Sequence, residues 1–171
     1  MHAAFWGKGP SSGQYITDTI SPLLEQGYFV QAAELLEQKV KEQPKNLDYQ
    51  MALYNTYFNL KNYASALALC EQIQTLLPEL VYAQMKAAIY LEEKQFDSAL
   101  ATYQTVADFV TRCEQDGIMI EEGLLQSIID DIDQVCANLS EEIQGKFITD
   151  LTQLRNQFVQ AKSSQCTFAL L

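Results

Sequence analysis

Histidine is nearly missing from these 171 residues; the one present is His2, in a Gly/Ser/Pro-rich leader. Without it the chain lacks the usual general base, the Ser-His-Asp and Cys-His arrangements, and the ligand most zinc sites use. The four cysteines, Cys70, Cys113, Cys136 and Cys166, are far apart and form no CxxC pair. That pattern points to free thiols in a reducing compartment, and the cytoplasm is the expected location. Basic residues are scarce too: 11 Lys plus Arg stand against 22 Asp plus Glu, a formal net charge of −11. Nucleic acid and anionic membrane surfaces are held by clustered Lys and Arg, and no such cluster exists here. No apolar run approaches the roughly 20 residues that span a bilayer. Met1–Gly9 carries Phe5 and Trp6 but no apolar h-region, so no secretory signal is expected there. The stretch GKGPSSG (Gly7–Gly13) only superficially looks like a phosphate loop, because Lys8 precedes the Pro and no strand comes before it. No catalytic site, cofactor or metal is expected, and the chain reads as a non-enzyme.

What is present is helical periodicity. From Tyr15 onward, apolar residues recur at i, i+3, i+4 and i+7. Asp116-Gly117 is the one hairpin-type dipeptide, and helical patterns flank it. The class is all-α. The pattern also repeats. Tyr57, Tyr63, Ala66 and Cys70 match Tyr90, Phe96, Ala99 and Tyr103 at an offset of 33 residues. Leu23, Phe29, Ala32, Leu36 and Pro44 match Tyr57, Tyr63, Ala66, Cys70 and Pro78 at an offset of 34. A small residue such as Ala66 or Ala99 suits the close crossing of two helices, where a larger side chain would force the backbones apart. Pro44 and Pro78 end the second helix of a unit, since Pro cannot continue it.

Three such units of about 34 residues, each a helix pair, resemble the tetratricopeptide repeat across roughly residues 14–110. The first unit departs most from the pattern. Pro22 falls where a helix interior should be, and Ser21-Pro22 reads as an N-cap and first-turn pair. The resemblance implies three helical hairpins in a right-handed superhelix, closed by a C-terminal helical cap. The expected organisation is a flexible leader over 1–13, repeats over 14–112, capping helices over 113–162 and a loose tail over 163–171.

The cap is read from Leu124, Leu125, Ile128, Ile129, Ile132, Val135, Cys136 and Leu139, which share one side of a helix. Ser140 followed by Glu141 and Glu142 opens another, with an oxygen cap and acidic residues at its positive end. Asp130, Asp131 and Asp133 fall on the polar face of the first of these helices. They lack the oxygen spacing and turn glycine of a calcium loop, so a solvated face is expected. Nine acidic residues and no basic one separate Arg112 from Lys146. That block serves solubility or attracts a basic partner.

In the family the resemblance points to, the first helix of each unit lines a groove. Carried over, unit two offers Asp48, Met51, Asn55, Phe58 and Asn59, and unit three offers Val81, Gln84, Ala88, Leu91 and Glu92. Met51, Asn55, Phe58, Asn59, Gln84, Ala88 and Leu91 are the candidate partner-binding residues. None of these positions is Lys or Arg, so the family's carboxylate clamp is absent. What remains is an apolar, amide-rich surface for a helical or extended segment of another protein. The expected function is a scaffold or adaptor. The alternative is a cytosolic chaperone for exported proteins, similar in length, acidity and repeat number to the class II chaperones of type III secretion. Oligomeric state is left open.

Overall fold

The computed structural model describes residues 9–169, with the side chains of 141–143 and 167–169 excepted. Most of the expected leader therefore lies outside the described residues. Within them the chain is all-helical, with no strand. The described residues divide into two compact units, with the boundary between Leu76 and Leu77.

The first unit holds α1 (Ser12–Tyr15), a π turn (Ile16–Ile20), α2 (Ser21–Glu25), α3 (Phe29–Glu42), α4 (Leu47–Asn59) and α5 (Tyr63–Ile73). The first three pieces follow one another without a loop. Ser21 is thus not an N-cap: it is the first residue of α2, with Pro22 next. Proline lacks an N–H and its ring collides with the carbonyl four residues back, so an ordinary helix could not run through it. The wider π turn just before it accommodates the chain. Ile20, Ala32, Leu36, Tyr49, Leu53, Ala66, Cys70 and Ile73 form the interior of this unit. Ala66 is 0% exposed, as a close helix crossing requires.

The helix-ending turns keep the repeat register. Gly27, Lys61 and Lys94 close α2, α4 and α6 (Glu79–Glu92) with left-handed φ of 80°, 56° and 58°. The N–H of the next residue reaches back each time: Tyr28 to the Leu23 carbonyl (2.8 Å), Asn62 to Tyr57 (2.9 Å), Gln95 to Tyr90 (2.8 Å). These left-handed residues lie 34 (61 − 27) and 33 (94 − 61) positions apart, the same offsets that the side chains show.

The second unit holds α6, α7 (Phe96–Gln115), α8 (Glu122–Asn138) and α9 (Glu141–Ala169). α6 and α7 form a hairpin with Ala99 wholly buried at its crossing. α8 packs against α6 and α9, and α9 also packs against α7. Leu125, Ile128, Ile129 and Ile132 of α8 join Phe147, Leu151, Leu154 and Phe158 of α9 in one core with Tyr103, Val106 and Val110. The outer side of this last pair is laced with charge: Arg155 pairs with Asp133, and Lys162 approaches Glu122 at 3.6 Å.

Two boundaries differ from expectation. α7 runs past Arg112 to Gln115, and α9 continues through most of the supposed tail, to Ala169. No Gly or Pro follows Gly145 to stop α9. Buried Ala161, and the Lys162 Nζ bond to Gln126 Oε1 at 2.6 Å, hold its later turns against the unit. The described part of 163–171 is helix.

Candidate functional site

α4 begins at Asn46, whose side-chain oxygen accepts the N–H groups of Asp48 (3.1 Å) and Tyr49 (3.4 Å). One side of the helix is committed to the interior: Tyr49, Gln50, Leu53, Tyr54 and Thr56 are buried. The opposite stripe is open. Asp48, Asn55 and Asn59 are exposed, while Met51 and Phe58 are half-buried. Spacings of three and four residues put Asp48, Met51, Asn55 and Asn59 on one side, with Phe58 at its edge. Phe58 is not loose. Its ring meets Tyr63 edge-on at 5.5 Å and Tyr54 at 6.0 Å between centroids, so an aromatic shelf backs the stripe.

α1 lies beside α4. Ser12 Oγ donates to Asp48 Oδ2 (2.6 Å), and the Tyr15 ring meets Tyr49 edge-on at 6.0 Å. Gln14, Thr17, Asp18 and Glu25 of the first three pieces are exposed. They were not among the sequence-based candidates. The signal was available: subtracting the 34-residue offset from Met51 and Asn59 gives Thr17 and Glu25. Pro22 hid it by making this stretch look like a break.

The candidates on α6 are placed differently. Gln84, Ala88 and Leu91 are all half-buried. Gln84 Oε1 accepts a hydrogen bond from Ser127 Oγ of α8 (3.3 Å), and Leu91 packs on the core of the second unit. α8 thus takes up part of the surface that the resemblance assigns to a partner. The Gln84 amide nitrogen is buried with no hydrogen-bond partner.

The acidic block of α8 is not the uniformly solvated face that its spacing suggests. Asp131 is half-buried and accepts the Tyr103 hydroxyl at 2.7 Å. Burial raises the Asp131 carboxyl above its ordinary range, and the Tyr103 bond opposes that. Burial and the Asp131 charge likewise push the Tyr103 phenol well above its usual value. Asp130 accepts from Gln126 at 2.7 Å, and Asp133 is taken by Arg155. Helical spacing distinguishes a polar face from an apolar one. It does not show that α7 would present a buried hydroxyl to that polar face.

A raised carboxyl has a definite consequence for stability. The folded chain keeps the Asp131 proton to higher pH than the unfolded chain does. The stabilisation is present at acid pH and lost as pH rises through the folded value. Asp131→Asn keeps an oxygen for Tyr103 without the buried charge. At neutral pH it should match or exceed wild-type stability by on the order of 1 kcal/mol, with the gap closing on acidification. Urea midpoints measured from acid to neutral pH test this. A variant clearly weaker at neutral pH would mean that the charged hydrogen bond outweighs the burial penalty.

Cys70 and Cys113 are buried, Cys136 is half-buried and Cys166 is exposed; the four cysteines are unbridged. Burial pushes the Cys136 thiol up, away from reactive thiolate. Among the described residues no group of three His, Cys, Asp or Glu could hold a metal ion. No helix among them is long and apolar enough to cross a membrane.

Hairpins of two helices in a 33- to 34-residue register, with small residues at each crossing, define a helical repeat protein. The tetratricopeptide repeat family model matches residues 23–89, so that segment is similar to the family. Repeats of this family are, in general, non-catalytic scaffolds that bind other proteins. No curated protein matches the chain. Among solved structures, one titled MamA MSR-1 C2 is similar at 17% identity with a TM-score of 0.45, covering 79% of this chain and 72% of that one.

Proposed function

We propose that this protein is a cytoplasmic scaffold or adaptor that holds a segment of a partner protein on the open stripe of α4. The carrying observation is the division of α4 into a buried side and an open side bearing Met51, Asn55, Phe58 and Asn59. Met51 offers an adaptable apolar contact, and Phe58 is a pre-positioned aromatic anchor. Asn55 and Asn59 present donors and acceptors that suit the backbone of an extended or helical segment. The acidic block of α8 is less suited to the task, because Tyr103, Arg155, Gln126 and Lys162 already engage its carboxylates.

The test is affinity capture from source-cell lysate with wild type, Met51→Ala and Phe58→Ala, followed by calorimetry on whatever protein is captured. Each substitution should weaken binding by about 1–2 kcal/mol, roughly a factor of ten. A specific partner bound equally by all three proteins would place the interaction elsewhere.

A further inference from the structure

We infer that the segment taken by the α4 stripe carries Lys or Arg beside its apolar anchor; the inference rests on the reading that this stripe is the binding site. The stripe is one side of residues 47–59, and the stretch of residues 12–25 meets that helix through Ser12 and Tyr15. Together they contain three carboxylates, Asp18, Glu25 and Asp48, and not one Lys or Arg. Asp18 and Glu25 are exposed, and the Ser12 bond holds Asp48 at the start of the stripe. The described lysines of this unit lie elsewhere. Lys39 and Lys41 are on α3, where Lys39 is occupied by Glu42 at 3.4 Å and by the Tyr15 ring at 4.6 Å. Lys45 and Lys61 sit in the loops before and after α4.

The carboxylates do not make the site; Met51 and Phe58 do. The carboxylates set the sign of what approaches. An apolar contact is indifferent to charge, whereas like charges across an interface repel and unlike charges speed association. Asp48 on the stripe and the exposed Asp18 and Glu25 of residues 12–25 disfavour an acidic segment and favour a basic one, with Lys45 and Lys61 confined to the loops that flank α4. The second unit differs, since its acidic block carries its own counter-charges in Arg155 and Lys162.

The probe is a random dodecapeptide library displayed on phage and panned against the full chain, with selected peptides then titrated against variants. Peptides whose binding is lost in Phe58→Ala should be enriched in Lys and Arg around an apolar residue. Asp18→Asn/Glu25→Gln should weaken them about five- to tenfold at low salt, and much less near 1 M salt, where the Debye length is ~3 Å. Both positions are exposed, so the unfolding midpoint should not move. Glu114→Gln/Glu121→Gln, which removes two charges from the second unit, should leave affinity unchanged. Phe58-dependent peptides that are neutral or acidic, or that ignore Asp18→Asn/Glu25→Gln, would overturn the inference while leaving the stripe as the site. Peptides selected by the chain that bind Phe58→Ala as well as wild type would overturn both.

Discussion

Ending the chain after Gly117, which removes α8 and α9, should abolish cooperative folding of the second unit. Among the described residues its core contains seventeen that are buried, and nine of them come from the removed helices: Leu125, Ile128, Ile129, Ile132, Phe147, Leu151, Leu154, Phe158 and Ala161. The remaining hairpin, α6 with α7, would expose Tyr103, Val106 and Val110 to water, and Tyr103 would lose its Asp131 partner. A two-helix hairpin with one face uncovered buries too little apolar surface to offset the entropy of ordering it. The shortened chain should lose far-UV helical signal beyond that of the deleted residues. It should also bind a hydrophobic dye and elute from size exclusion as aggregate. A monomeric fragment that unfolds cooperatively, with α6 and α7 protected from amide exchange, would show that the last two helices are an appendage and not part of the core.

Ala66→Trp and Ala99→Trp should each destabilise the unit in which they lie by about 3 kcal/mol or more, the upper end of the range for overpacking. Both alanines are 0% exposed at the crossing of a helix pair, α4 with α5 and α6 with α7 respectively. An indole has no cavity to enter there, so the helices must separate and every contact along the crossing suffers. Because the two positions lie in different units, a two-step urea transition should lose one step in each variant. Ala99→Ser is the control, since it adds one small atom at the same site. Wild-type midpoints in either Trp variant would mean that the repeat register is wrong in that unit.

That register was legible in the sequence because it is local. Offsets of 33 and 34 residues between aromatic, small and Pro positions follow from packing one hairpin on another. The turn residues Gly27, Lys61 and Lys94 obey them as the core residues do. The open stripe of α4 was named through the family resemblance, and Met51, Asn55 and Asn59 do lie opposite the buried Leu53 and Thr56. The apolar faces of α8 and α9 could be read from amphipathicity, which does not show what those faces meet.

Pairings between distant segments needed the tertiary structure. Asp131 looked solvated by its spacing, yet a hydroxyl 28 residues away on α7 reaches it. Gln84 looked like a contact for a partner, yet Ser127 of α8 bonds it. The tail from residue 163 was expected to be loose, yet α9 carries on through its described part to Ala169, with Lys162 just before it tied to α8. Helical periodicity and repeat spacing fix which side of each helix is apolar, because both depend on neighbours within about one turn or one repeat. Which polar atoms become buried depends on the side chains that another helix brings to them, and only packing determines that.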